Sequence, residues 1–233
     1  MRSPLVPVPR RDAQGRWDLG EALACQRRLR DRVERRDRVG KVRRVAGADV
    51  SYEKRGSTLY AAVVVLDAAT LEVLETGTAV GPARFPYLPG FLSFRESPAI
   101  LDAFSRLRGR PDLLLVDGHG VAHPRGLGIA SHLGVILNLP SIGVAKSILV
   151  GEAEEPERDR GSVAPLRHRR ERIASVVRTR TGVAPVYVST GHRVSLQTAV
   201  RWVLRCGNGY RLPEPTRRAH LAVNALRVDG KRS

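Results

Sequence analysis

The residues Leu113-Leu114-Leu115-Val116 are apolar at every position and end at Asp117-Gly118. A half-buried strand alternates apolar and polar side chains, whereas a short run with no polar residue has no wet face. It fits only in a sheet covered on both sides. Ser141 to Ala145 and Pro185 to Ser189 read as two more buried strands, and helical patterns stand at Gly126 to Leu137, at about 195 to 206 and at about 215 to 227. Upstream, Val42 to Tyr52, Leu59 to Asp67 and Leu71 to Val80 are β-rich runs. They are separated by turn chemistry at Lys54-Arg55-Gly56-Ser57 and Ala68-Ala69-Thr70, which predicts a three-stranded antiparallel meander.

A helix follows the meander, with Pro98 in its first turn, Ile100, Leu101, Phe104 and Leu107 as its apolar stripe, and Gly109 and Pro111 as its end. Ahead of the meander, Asp18 and Glu21 form a capping box, and Leu19, Leu23, Gln26, Leu29 and Val33 fall at helical spacing. An amphipathic helix over about 18 to 38 is expected. Its arginine face can meet phosphates or water, and no site is assigned to it. The charged stretch from Gly151 to Arg172 reads as an irregular surface excursion. The whole is an α/β fold: a mixed sheet, made of the antiparallel three-strand meander plus parallel strands, flanked by helices. One domain is expected over residues 17–227, preceded by a basic N-terminal extension (1–16) and followed by a short tail (228–233).

Lysine and arginine number 40 against 23 acidic residues, a formal charge of +17. That imbalance points to a partner of dense negative charge, with nucleic acid foremost. Only Lys41, Lys54, Lys146 and Lys231 are lysines, so a general bias toward arginine is the competing source of the charge. The excess is concentrated in residues 1–44, which hold 14 basic and 6 acidic side chains. No run approaches the ~18 to 20 consecutive apolar residues of a membrane span, and the first residues lack the apolar stretch of a signal peptide. A soluble, cytoplasmic protein without a membrane partner is expected. Cys25 and Cys206 have neither disulfide-framework nor zinc spacing and read as core thiols.

Asp49 lies in the middle of the strand Val45 to Tyr52, where an ionised carboxylate is costly unless paired or bound to metal. Asp117 ends the buried run, at the carboxyl edge where open α/β sheets place ligands. Two acids on neighbouring strands make an Mg²⁺ site, since Mg²⁺ takes one or two carboxylates plus water and phosphate oxygens. The alternative is that Asp117 caps the following turn and Asp49 meets an arginine. Pro86-Tyr87-Leu88-Pro89-Gly90 holds a ring between two prolines, either as a wedge that enters a base stack or as a rigid packed loop. Glu96, expected just ahead of a helix, has two roles open to it, metal ligand or N-cap. Glycines 118, 120, 126 and 128 let backbone approach something flat, such as an extruded base. Lys146 follows a buried strand and suits a phosphate or a leaving group. His220 borders the apolar row Ala219, Ala222, Val223 and Leu226 without belonging to it.

With these blocks in order along the chain, the sequence resembles the endonuclease V family of inosine-directed nucleases. The matching residues are Gly47-Ala48-Asp49-Val50, Pro86 to Gly90 with Phe94-Arg95-Glu96, Val116 to Pro124, Gly143 to Lys146, Pro185 to Ser189 with Gly191-His192-Arg193, and Tyr210 to His220. The resemblance implies an RNase H-like fold and Mg²⁺ dependence, with Mn²⁺ as a substitute. It also implies a monomer acting on inosine-containing DNA, with cleavage of the second phosphodiester bond 3′ to deoxyinosine leaving 3′-hydroxyl and 5′-phosphate ends. By the same resemblance Asp49, Asp117 and Glu96 would hold the metal, and Lys146 and His220 would complete the catalytic set. Tyr87 would be the wedge, and Gly90, Gly118, Gly128 and Ala145 would form the base pocket. Leu88 stands where the family often has isoleucine. Two other readings stand beside it: an inosine-specific endoribonuclease acting on RNA, and a non-catalytic nucleic-acid-binding protein, which would share the charge and the wedge but has no need for Asp49, Glu96 and Asp117.

Charge carries its own expectation. On inosine-containing duplex, the logarithm of the affinity should fall with the logarithm of salt concentration at a slope of roughly −0.9 per neutralised phosphate. Titration by fluorescence anisotropy measures it, and a flat response would assign the arginines to composition alone.

Overall fold

The computed structural model describes residues 9–11, 14–52 and 56–229. Most of the basic extension, the Lys54-Arg55 half of the first turn and the end of the tail lie outside the described residues. The elements in chain order are α1 (Leu19–Arg30), β1 (Arg44–Tyr52), β2 (Thr58–Asp67), β3 (Val73–Pro82), α2 (Leu92–Phe104), β4 (Leu113–Asp117) and α3 (Ile129–Leu137). They continue with β5 (Ser141–Ala145), β6 (Glu152–Ala153), β7 (Val163–His168), β8 (Glu171–Val177), β9 (Val186–His192), α4 (Leu196–Arg205) and α5 (Glu214–Asp229).

All these strands join one mixed sheet in the order β3-β2-β1-β4-β5-β9-β8-β7-β6. The β1-β2-β3 meander is antiparallel, β1, β4 and β5 are parallel, and β9 returns antiparallel to β5. The sheet is buried on both faces where the apolar runs require it. Leu113 and Leu115 of β4 pack with Val45, Ile142, Val144 and residues of α4 and α5, including Val203 and Ala219. Leu114 and Val116 pack on the other face with Ile100 and Leu101 of α2 and Leu133 of α3. Both cysteines are free and buried. Among the described residues no helix is long and apolar enough to cross a membrane.

Three expectations are corrected. The first helix stops at Arg30, not near 38, because the following residues turn to tertiary partners. Asp37 accepts hydrogen bonds from the Ser195 amide (2.7 Å), the Ser195 hydroxyl (3.0 Å) and the Thr198 hydroxyl (2.9 Å), and Glu34 pairs with Arg193 at 3.2 Å. The second helix begins at Leu92, so Pro98 lies in its interior and Glu96 is a buried helical residue, which removes the N-cap role. The stretch 151–172 is irregular only in part, over 154–162. It supplies β6, β7 and the start of β8, an antiparallel extension of the sheet in which Ala164 and Leu166 point inward and Arg167 outward.

One close approach sets the position of α5. A Cβ on Gly47 would stand 1.9 Å from the Pro215 carbonyl oxygen and 2.6 Å from the Thr216 nitrogen, so only glycine lets the first turn of α5 lie on β1. The helix start is tied down beside it by Glu214, which is 1% exposed. Its carboxylate takes Arg217 in a two-point contact (2.7 and 2.7 Å) and Arg218 at 2.7 Å. Gly47→Ala should therefore cost about 1–3 kcal/mol of stability, the usual range for overpacking. Chemical denaturation measures this, and parent-like stability would mean that α5 does not rest on β1 as described.

Candidate active site

β1 and β4 run parallel with Ala48 opposite Val116, which puts the next residue of each strand, Asp49 and Asp117, side by side. Neighbouring strands are separated by roughly 4.8 Å. Side chains alternate along a strand, so Asp49 shares the face of Gly47, and Asp117 that of Leu113 and Leu115. Both carboxylates thus reach the side covered by α5. From that helix His220 places Nδ1 2.8 Å from Asp49 Oδ2, and its Nε2 lies 3.0 Å from the Asn224 amide nitrogen. The neutral tautomer satisfies both contacts: Nδ1–H donates to the carboxylate and Nε2 accepts from Asn224. Lys146, just past the end of β5, sets its Nζ 2.5 Å from Asp117 Oδ2. Asp49, Asp117 and His220 each offer one ligand atom within 4.8 Å of the others.

Glu96 belongs to α2, on the opposite face, and stands outside that trio while sharing its electrostatics. Burial, and then the charges of Asp49 and Asp117, push its pKa up to about 8. Burial and the neighbouring Asp117 raise Asp49 to about 6, against the pull of its hydrogen bonds from His220 and the Val50 amide. Three acids compete for too little positive charge, and the ligand atoms gathered at two of them suit a hard divalent cation.

Beside the acids opens a cavity of about 420 Å³. Its lining takes Tyr87, Leu88, Pro89 and Gly90 from one loop, Glu96 from α2, Asp117, Gly118 and His119 from the end of β4, Gly128 ahead of α3, and Ala145, Lys146 and Leu149 from the end of β5. Tyr87 is 60% exposed at this cavity. Gly118 has φ +152, and a Cβ there would meet Ile129 Cγ2 at 2.6 Å. Of the other glycines, Gly120 packs against the Thr190 carbonyl of β9 and Gly126 against Arg30, and neither is part of the lining. Burial holds the pKa values of His119 and His123 down near 4, so the cavity presents neutral imidazoles at neutral pH. Beneath the Tyr87 loop lies an aromatic cluster, with Trp17 and Phe85 at 4.9 Å and Phe85 and Phe94 at 5.8 Å between ring centroids.

Eight of the ten residues to which the resemblance gives a role thus line one cavity, and Asp49 and His220 adjoin it through Asp117. Sequence reasoning missed Asn224, although its spacing of four from His220 on a helix was a usable signal. It also missed Arg211, which donates to the carbonyls of Lys146 (2.8 Å) and Pro185 (2.9 Å) and so fixes the chain carrying the lysine. No local pattern reports such a long-range contact.

The family model for Endonuclease V matches residues 27–221. The chain belongs to the endonuclease V family. Endonuclease V of Rhodospirillum centenum is 59% identical over 213 residues, covering 90% of this chain and 89% of that protein. The crystal structure of the Streptomyces avermitilis endonuclease V superposes with a TM-score of 0.86 at 46% identity, covering 91% of this chain and 95% of that one. Ciona intestinalis endonuclease V, solved with a 24mer DNA containing an inosine followed by a ribo-adenosine, gives a TM-score of 0.80 at 30% identity, covering 91% and 98%. The mixed sheet with flanking helices is the RNase H-like fold of these nucleases.

The buried acids predict a pH signature for an endonuclease V of this geometry. Glu96 titrates near 4.5 when unfolded and near 8 when folded, so the native state holds a proton that the unfolded chain releases. Stability from this group is lost as pH rises from about 4.5 to about 8. In chelator-containing buffer, the melting temperature of Glu96→Gln should match the parent near pH 5 and exceed it increasingly up to pH 8. A difference that does not change with pH would contradict the assignment.

Proposed function

We propose that the chain is a DNA repair endonuclease that recognises deoxyinosine and hydrolyses the second phosphodiester bond 3′ to it, with Mg²⁺ as the resident cation and Mn²⁺ as a substitute. One observation carries the reading: Asp117 belongs both to the acidic cluster and to the wall of a cavity large enough for a nucleoside. Chemistry on a phosphate and recognition of a base are therefore adjacent. A non-catalytic binder would have no use for three acids buried together. The chain would act as a cytoplasmic monomer, with residues 17–227 as its catalytic unit.

Asp49 and Asp117 would hold the cation, with Glu96 completing the acidic set. The donor set fits, since it offers carboxylate oxygens in excess of local positive charge. Bound there, Mg²⁺ supplies electrostatic stabilisation of the charge that builds on the phosphate and the leaving oxygen. His220 orients Asp49 through Nδ1 and is itself oriented by Asn224. Lys146 offers an ammonium to the same phosphate. Tyr87 would fill the gap left by the extruded base, and the cavity formed by Gly90, Gly118, Gly128 and Ala145 would take the base itself. Hypoxanthine lacks the exocyclic amine of adenine and guanine, and close backbone walls exclude that amine by fit. An inosine pair is also weaker than a normal pair, so extrusion costs less.

Asp49→Ala and Asp117→Ala should each lower the nicking rate by more than the 10- to 100-fold typical of an outer partner of a metal site, with the fold retained. Tyr87→Ala should lose about 1–3 kcal/mol of stacking and with it discrimination between inosine and undamaged duplex, while Tyr87→Phe keeps most of it. Single-turnover nicking of matched duplexes tests all of these. Parent-like turnover by either aspartate variant would sink the metal assignment. The same assay on matched inosine RNA compares the deoxyribonuclease with the ribonuclease reading.

A further inference from the structure

We infer that Gln26 and Arg125 are positioning residues for the Tyr87 loop, gripping the Gly90 carbonyl so that the wedge and the adjoining cavity wall are set before substrate arrives. The inference rests on the wedge reading above and gives a role to α1, to which the sequence assigns no site.

Gln26 is fully buried on α1, among Ala22, Cys25 and Leu29. A buried primary amide must find partners or pay its desolvation in full. Its Nε2 donates to the Gly90 carbonyl at 2.9 Å, and its Oε1 accepts from Arg125 Nε at 2.6 Å. Arg125 Nη2 also donates to the Gly90 carbonyl, and its guanidinium lies 4.4 Å from the centre of the Phe91 ring. His123 Nδ1 accepts from the Arg125 amide at 3.2 Å, which steadies the loop that carries the arginine. Donors from α1 and from the loop after β4 therefore converge on one oxygen of the cavity wall.

A single donor would satisfy this carbonyl as a matter of packing. What the second donor fixes is direction. Pro89 and Gly90 are the central residues of a turn closed by the Phe91 amide on the Leu88 carbonyl at 2.9 Å, and Gly90 has the positive φ, +77, that a type II turn demands at its third position. Tyr87 immediately precedes that turn. Rotation of the Gly90 peptide would swing the wedge and reshape the wall together, and the convergent donors oppose this rotation. Supporting groups that hold a recognition element within a fraction of an ångström are what preorganisation requires. Arg125 stands on both sides of the arrangement, bonding the carbonyl and covering Phe91, the N-cap residue of α2.

The test uses the full chain with Gln26→Leu, Arg125→Met and Tyr87→Ala, alone and combined, in single-turnover nicking of inosine and matched undamaged duplexes in Mg²⁺. Gln26→Leu and Arg125→Met should each lower the inosine-over-control ratio by about 10- to 100-fold, the scale of a small misplacement. The loss should fall mainly on half-saturating DNA concentration rather than on the rate at saturation, and Mn²⁺ titration midpoints should not move. On the Tyr87→Ala background neither change should alter the ratio more than about twofold, because the element they position is gone. Equal losses with and without Tyr87, or a parent-like ratio in Gln26→Leu and Arg125→Met while Tyr87→Ala discriminates poorly, would overturn the positioning role alone. If Tyr87→Ala itself discriminates like the parent, the wedge reading falls and the positioning role falls with it. Should Gln26→Leu fail to fold, Arg125→Met, a half-exposed loop substitution that keeps the cover on Phe91, carries the test.

Discussion

Asp49 and Asp117 repel one another across a single strand spacing, and the sheet gives them no room to separate. Their places are dictated by the parallel pairing of β1 with β4, so relief has to come from outside the strands. It comes from two sides. Lys146 meets Asp117 from the end of β5, and His220 meets Asp49 from α5. Glu96 then brings a third acid to the same region, and burial first, with the neighbouring carboxylates second, raises the pKa values of Glu96 and Asp49. A fold that only had to be stable would replace such a cluster with apolar side chains. Keeping it makes sense where a cation and a phosphate complete the balance.

The rest of the structure follows from bringing those relieving groups into place. His220 can reach Asp49 only if the first turn of α5 rests on the backbone of β1, which is why Gly47 is bare and why Glu214 is locked by two arginines at the helix start. Lys146 lies beyond the last residue of its strand, and Arg211 anchors its carbonyl from the segment leading into α5. The acidic residues of the sheet stand on strands buried on both faces, the least deformable part of the fold, while the adjoining cavity is walled largely by loops held by longer-range ties.

This division also explains what the sequence could tell. The parallel strands were legible because Leu113 to Val116 and Ser141 to Ala145 are buried on both faces and carry no polar side chain other than Ser141. The site was legible because Asp49 and Asp117 are acids where strands disfavour them, and because the motifs around them resemble a known family. The β7-β8 hairpin was not. Arg167, Arg169, Arg170 and Arg172 surround its turn and Pro165 sits inside β7, so the inward pair Ala164 and Leu166 is masked, and the mostly apolar run Ile173 to Val177 follows directly on that charge. The interior Pro98 and the early end of α1 escaped for another reason: neither is written in the local pattern, since Asp37 is drawn to Ser195, the N-cap residue of α4, and α2 starts six residues ahead of the proline.

Arginine is the residue these considerations share, and its use here bears on the meaning of the +17 charge. Many of the described guanidinium groups bond main-chain carbonyls: Arg95 to Phe85, Arg110 to Leu137 and Asn138, Arg125 to Gly90, Arg160 to Leu204, Arg178 to Pro156, Glu157 and Val183, and Arg211 to Lys146 and Pro185. A planar fork of donors can hold two loop carbonyls at once, which the three-donor point charge of lysine does less well. Arg178 also pairs with Glu155 at 2.7 Å, but elsewhere in this set the acceptor of the tie is neutral and does not offset the positive charge. Part of the basic excess is therefore a by-product of fastening loops to the sheet. The two sources of charge that composition leaves open are not exclusive: a guanidinium that fastens a loop still contributes its field at the surface, where a phosphate backbone would meet it.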